Sequence, residues 1–415
     1  MVIPDILRQH VEEAASVYTI RRALCGASHA NLGDLARFDE QVSAHLDGIS
    51  ISGDAAWPFC SAALELPSVG VIFCAAACAI EDKRYDRLDE LFALAEALPT
   101  IAPGLLSAFG WLGKQHLQGL VANLLANDHS FRRCVGIAAC AMHRVDPGLN
   151  SRRQLHDGVP AVRARALRTA GQIGCRDVLA EITPAIQDED ADCRFWAVFS
   201  SIILGSQGVA LNELAKIALS PGPHRDRAFR LLMQALNGDR GHAVLQEIAR
   251  TASDVRWLIE GSGLAGNVSY VPWLIEQTKL GSNARLAGVA FALITGTDLP
   301  AFGLDRPKPE GFESGPNDNP EDDNVEMDAD DGLPWPDPGK VERWWAANAQ
   351  RFQPGARYFM GQPVTREHCI EVLKNGYQRQ RILAAHYLCL LDPGTPLFNT
   401  SAPAWRQQKL LASMK

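Results

Sequence analysis

The chain has 415 residues and a formal charge of −8, enough material for two or three compact domains or for one repeat array with appended ends. Ten of its acids lie between residues 310 and 331, where there is no Lys or Arg, so the remainder is near +2 and generic nucleic-acid affinity is not expected. Aromatic residues make up 7% while alanine and leucine abound, which suits closely packed helices and an all-α fold.

Residues 1–55 predict a helical cap. The first 18 residues have neither a basic leader nor a continuous apolar run, and no later stretch is long and apolar enough to span a bilayer, so the expected setting is cytoplasmic. Leu35, Phe38, Val42 and Leu46 fall on one helical face, with Asp34 placed to cap it. Ten cysteines are distributed mainly in apolar helical stretches, for example Cys74 and Cys78 in VIFCAAACAI and Cys134 and Cys140 in CVGIAAC. They read as small core residues of a reduced protein.

From residue 56 to 297 the chain repeats. Arg133, Arg163, Arg194, Arg225, Arg256 and Arg285 are separated by 30, 31, 31, 31 and 29 positions, and a glycine often follows about eleven residues later, as in Arg163/Gly174, Arg194/Gly205 and Arg285/Gly296. A unit of this length holds two short helices that cannot bury their apolar faces alone and must stack on neighbours. In one unit Val162, Ala166, Leu167, Ala170 and Ile173 predict a buried stripe, opposite Arg165, Arg168 and Gln172, and the second helix is expected to bury Val178, Leu179, Ile182 and Ile186. Asp157, Asp190 and Asp254 precede helices as N-cap candidates. An arginine in a first helical turn is disfavoured by the helix dipole, so the repeated arginines are expected to pair with turn carboxylates and hold units together.

The pattern of an Asp-containing turn, a Val-Arg start (Val162-Arg163, Val255-Arg256), an alanine-rich first helix and a leucine-rich second one resembles the short HEAT-like repeat family. The resemblance implies an α-solenoid of HEAT-like helix pairs with an acidic Pro-rich loop insertion, and it specifies fold far better than function. The ends, LDGISISG, GLPWPDPGKVERWW and NGYQRQRILAAHYLCLLDPGTPLFNTSAPAWRQQKLL, give the whole chain a second similarity. It resembles uncharacterised proteobacterial HEAT-like proteins encoded near type VI secretion spike and effector genes, for which no catalytic residues are assigned.

Residues 298–339 predict an exposed acidic, Pro-rich loop, and 340–415 a C-terminal helical segment. EF-hand spacing fails, because the sixth position from Glu326 is Asp331 rather than glycine. His368, Cys369, His386 and Cys389 form the most compact His/Cys grouping, but without a CxxC or HExxH motif they do not make a metal site. No His-Glu dipeptide, Walker loop or GxSxG elbow occurs. No cofactor is expected. The reading is a non-enzymatic scaffold that binds a protein on a concave surface, an adaptor or chaperone for a secreted effector or spike component. The alternatives are a cytoplasmic immunity protein that occludes a toxin, and a HEAT-like DNA glycosylase or other nucleic-acid binder. Candidate partner-binding residues are those off the repeat: Trp335, Trp344, Trp345, Arg165, Arg168, Asp322 and Asp323.

Overall fold

The computed structural model describes residues 3–147, 153–251, 255–315 and 326–414. Its helices are α1 (Pro4–Leu24), α2 (Leu32–Ser50), α3 (Trp57–Ala63), α4 (Val69–Glu81), α5 (Tyr85–Ala97), α6 (Ala102–Trp111), α7 (Leu120–Leu125), α8 (Ser130–Met142), α9 (Pro160–Ile173), α10 (Leu179–Ile182) and α11 (Ala191–Ile203). They continue with α12 (Val209–Leu219), α13 (Arg225–Ala235), α14 (Gly238–Thr251), α15 (Val255–Ala265), α16 (Val271–Gln277), α17 (Gly281–Thr295), α18 (Pro338–Asn348), α19 (Arg366–Asn375), α20 (Gln378–Leu391) and α21 (Ala404–Ser413). Sheet is confined, among the described residues, to two small antiparallel ribbons. The fold is all-α, and no described helix is long and apolar enough to cross a membrane.

Two compact units result: Met1–Leu214 with Leu373–Lys415, and Ala215–Val372. The division therefore separates the C-terminal segment at residue 373 and groups its greater part with the N-terminal half. In the first unit α1 packs on α4, α4 on α6, α6 on α8, α8 on α9 and α9 on α11. In the second, α13 packs on α15 and α15 on α17. Alanine and glycine at these crossings let backbones approach closely.

Local chemistry sets the helix ends. Asn31, not Asp34, is the N-cap of α2: its side chain accepts from the backbone N–H of Gly33 and Asp34, and Asp34 returns the bond from the third position. Leu35, Val42 and Leu46 are buried below it. Asp190 caps α11 through the Cys193 N–H, whereas Asp157 serves a turn, accepting from Val159 N–H. Asp254 lies outside the described residues. In the unit that contains Arg163, Val162, Ala166, Leu167, Ala170, Val178, Ile182 and Ile186 are buried and Ile173 and Leu179 are half-buried. Its second helix is short because Pro184 opens a 3-10 turn.

The repeated glycines have a second duty. In the first unit the segment 393–406 runs across helix C-termini in reverse order: Leu397 N–H donates to the Gln172 carbonyl, and Arg406 donates to the Gly110, Trp111 and Leu112 carbonyls. In the second unit Tyr358 N–H donates to Gly266, Met360 N–H to Leu293 and Gly361 N–H to Ile294, while Arg357 binds the carbonyls of Met233, Gln234, Leu236 and Ala265. Orphan carbonyls at helix ends are thereby satisfied. Gly174, with φ +73°, ends α9, and a Cβ there would stand 2.1 Å from the Gly394 oxygen; at Gly266 it would stand 2.1 Å from the Tyr358 oxygen. No residue with a side chain fits either place.

Candidate functional site

The repeated arginines do pair with turns. Arg133 binds the Asp157 carboxylate at 3.1 Å and the Asn127 and Asp128 carbonyls of its own turn. Arg163 makes a two-pronged contact with Asp188 at 3.1 and 3.2 Å and bonds to the Asp157 and Gly158 carbonyls. Each arginine thus closes its own turn and grips the next, as expected of a device that joins units. Arg194 holds the Asp188 and Glu189 carbonyls, and Arg225 lies 3.8 Å from the centre of the Trp257 ring.

Arg256 and Arg285 take their carboxylates from the acidic segment. Arg256 makes a two-pronged contact with Asp330 at 2.6 and 2.9 Å, and Arg285 meets Asp328 at 2.7 and 2.8 Å. The Asp330 N–H donates to Asp328 Oδ1 at 3.0 Å, just as the Asp190 N–H donates to Asp188 Oδ1 at 2.9 Å. The sequence Asp328-Ala329-Asp330 is a copy of the repeat turn Asp188-Glu189-Asp190. Within 298–339 the expectation of an exposed loop does not hold for every described residue: Asp330 is 4% exposed, and strands β1 (Asp305–Arg306) and β2 (Trp335–Pro336) pair antiparallel. Asp322 and Asp323 lie outside the described residues.

The tryptophans beside it are packed. Trp335 is buried, with the Arg285 guanidinium 4.7 Å from its ring centre and Phe312 edge-on at 4.7 Å. Half-buried Trp344 meets Phe291 at 5.6 Å, and Trp345 meets Phe352 at 5.5 Å. Their rings serve the core of the second unit. His368 Nε2 sits 2.8 Å from the Phe359 carbonyl, and Cys369 is a buried core residue.

Arg165 and Arg168, expected on the surface, are half-buried. Burial, with Arg168 nearby, pushes the Arg165 guanidinium down to about 9, and it donates to Gln172 Oε1 at 2.8 Å. Arg168 lies 4.4 Å from the centre of the Trp196 ring and borders a cavity of about 180 Å³ in the first unit. Around this cavity stand Arg144, Arg168, Gln172, His386, Asn399 and Thr400, with apolar walls from Met142, Ile382 and Phe398. Among the described residues none that lines it is acidic. Two guanidiniums, an imidazole and amide groups line a small volume of a size and polarity that suits one anionic group.

Arg144 was not singled out by its sequence neighbourhood, yet a signal exists. Gly174, Gly205, Gly266 and Gly296 all have positive φ at the ends of first helices, and Arg144 stands 30 positions before Gly174 with φ +53°. Here an arginine holds the glycine place. Lys83 has the same conformation at the exposed end of α4; Arg144 differs in lining the cavity, where it donates to the Leu397 carbonyl at 3.4 Å and burial lowers its pKa.

A second cavity of about 290 Å³ is lined by Ser43, Asp47, Glu81, Trp111, His116 and Arg406, among others. Burial, then Asp47 and Asp82, push the Glu81 carboxyl up to about 6. Three core cysteines on α3 and α4, Cys60, Cys74 and Cys78, also lie together. No family model, curated protein or solved structure matches the chain.

Proposed function

We propose that this chain is a non-catalytic protein-binding scaffold, a solenoid of HEAT-like helix pairs, whose Arg144 cavity receives a carboxylate side chain of the partner. Support for the solenoid comes from the way first helices pack on successive first helices within each unit, with arginine–aspartate pairs tying turn to turn in the first. The observation that carries the binding reading is Arg144 itself. A non-glycine residue in the left-handed region costs about 1 kcal/mol, and this one sits where glycine stands in other units, with its charge facing a cavity free of acids among the described residues. A buried charge-assisted contact of this kind is what makes an interface anchor.

Resemblance to the HEAT-like proteins encoded near type VI secretion genes gives the setting: a cytoplasmic adaptor or chaperone that holds an effector for loading on the spike. The immunity reading shares the binding chemistry and separates by phenotype. Deleting an adaptor gene abolishes secretion and leaves the cell viable, whereas deleting an immunity gene kills unless the toxin gene is also removed. Nucleic-acid binding is disfavoured because four of the six repeat arginines are engaged by carboxylates; salt-sensitive retention on heparin would reverse that judgement.

The decisive experiment is affinity purification from the native cell, with mass spectrometry of the retained proteins, for the parent and for Arg144→Gly. The substitution relieves the backbone and should raise stability by about 0.5–1 kcal/mol while lowering partner retention at least tenfold. Undiminished retention by Arg144→Gly would sink the assignment of this cavity, and glycosylase or hydrolase activity of the pure protein would sink the non-catalytic reading.

A further inference from the structure

Three cysteine thiols converge in the core of the first unit. Cys60 lies on α3, while Cys74 and Cys78 lie four residues apart on α4, a spacing that places both on one helical face. All three residues are buried, and their Sγ atoms lie within 4.8 Å of one another. Three thiolates around one ion at a metal–sulfur distance of about 2.3 Å stand about 4 Å apart. The thiols therefore already have the spacing of a three-sulfur coordination set, with only small contraction needed.

A second observation concerns charge. Arg87 on α5 is buried, its guanidinium lies 4.6 Å from the centre of the Trp57 ring, and its Nε has no hydrogen-bond partner. It donates from Nη2 to Asp54 at 2.6 Å and acts electrostatically on Cys60. A buried cation beside a thiol cluster lessens the penalty of gathering negative charge in an apolar core.

We propose that Cys60, Cys74 and Cys78 form a three-thiolate site for a soft, thiophilic cation. Neither of the simpler roles uses all three sulfurs. A disulfide would join two and leave the third idle, and a packing role would be met by alanine, which already fills much of α4. Among the described residues no fourth His, Cys, Asp or Glu joins the group, which selects ions content with three sulfur ligands. Net charge narrows the choice: three thiolates with a divalent ion leave −1, near an Arg87 whose charge Asp54 already shares, and with a trivalent ion leave none. Binding releases the thiol protons and ties α3, only seven residues long, to α4.

The test uses the reduced full-length chain titrated anaerobically with zinc(II), copper(I) and arsenite in separate arms. The ultraviolet charge-transfer band of metal–thiolate bonds and the number of alkylatable cysteines are followed together. At least one ion should bind at one equivalent, and three of the ten cysteines should become protected. The triple variant Cys60→Ala, Cys74→Ala, Cys78→Ala, checked for helicity, should lose both signals. Failure of all three ions to bind the parent stoichiometrically overturns the site, as does equal binding by a folded triple variant.

Discussion

The two units use one arginine position with two sources of carboxylate. In the first, Arg133 and Arg163 reach aspartates 24 and 25 residues ahead, in the next turn of the repeat. In the second, Arg256 and Arg285 reach 74 and 43 residues ahead, to Asp330 and Asp328 in the acidic segment. The turn that would serve Arg256 by local spacing offers the Ser282 carbonyl. What the architecture requires is an acceptor for a half-buried guanidinium, and a long insertion can supply it by ending in the same Asp-x-Asp turn. The segment that seemed most separate from the repeat completes it.

Removing carboxylates one at a time would break this comparison unequally. Asp328→Ala should lower stability by about 3 kcal/mol, because Arg285 is left with its charge buried and the turn loses its bonds from Ser314 and Asp330 N–H as well. Denaturant titration reads this, with the loss absent when Arg285 is replaced by Met in the same chain. Asp188→Ala should lower it by about 1–2 kcal/mol, since Arg163 is more exposed and keeps two backbone carbonyls. Arg285→Lys should cost about 1 kcal/mol: the ammonium keeps the charge but loses the two-pronged contact and the planar packing on Trp335. A loss from Asp188→Ala as large as that from Asp328→Ala would show that the long-range partner is no more demanding than the local one.

Acid and neutral pH sharpen the contrast further. The hydrogen bond from Arg285 holds the Asp328 carboxyl well below the ordinary 3.8, so its stabilisation is complete above that value and fades as pH falls through lower values. Glu81 has the opposite sign: its carboxyl is raised from 4.5 to about 6, so folding is favoured below 4.5 and that advantage is lost as pH rises through 6. Glu81→Gln should therefore stabilise at neutral pH, by no more than about 1 kcal/mol after solvent screening, and should leave stability near pH 4 unchanged. A melting series across pH 3–8 distinguishes the two carboxyls.

Periodicity made much of this legible. The helical class, the buried stripes of α2 and α9 and the pairing of Arg133 and Arg163 with turns all follow from residues no more than one unit apart. Long-range partners did not announce themselves. Gly174 reads as a helix terminator, but its second reason is Gly394, and no local pattern links them. Trp335, Trp344 and Trp345 read as partner-binding candidates until Phe312, Phe291 and Phe352 are placed against them. The Asp-x-Asp turn at 328–330 was hidden in a run of acids, although its match to 188–190 is visible once sought. Arg144 was detectable as an exception in the glycine row, and Cys74 with Cys78 as a helical i, i+4 pair; Cys60, on another helix, was not.

The buried pair of Arg21 and Asp39 also fixes when the first unit can be finished. Arg21 donates to the carbonyls of Ser401 and Ala402, and Asp39 accepts the N–H of Ala404, 365 residues away. At ribosomal rates of about 5–20 residues per second, roughly 20–70 s pass between synthesis of the first partner and the last. Through that interval α1 and α2 hold an ion pair whose remaining bonds do not yet exist, and residues 110–112 await Arg406. Completion of the N-terminal half thus waits on translation of the C-terminal segment, and a nascent chain halted before residue 401 would present an unfinished first unit to the cell's chaperones and proteases.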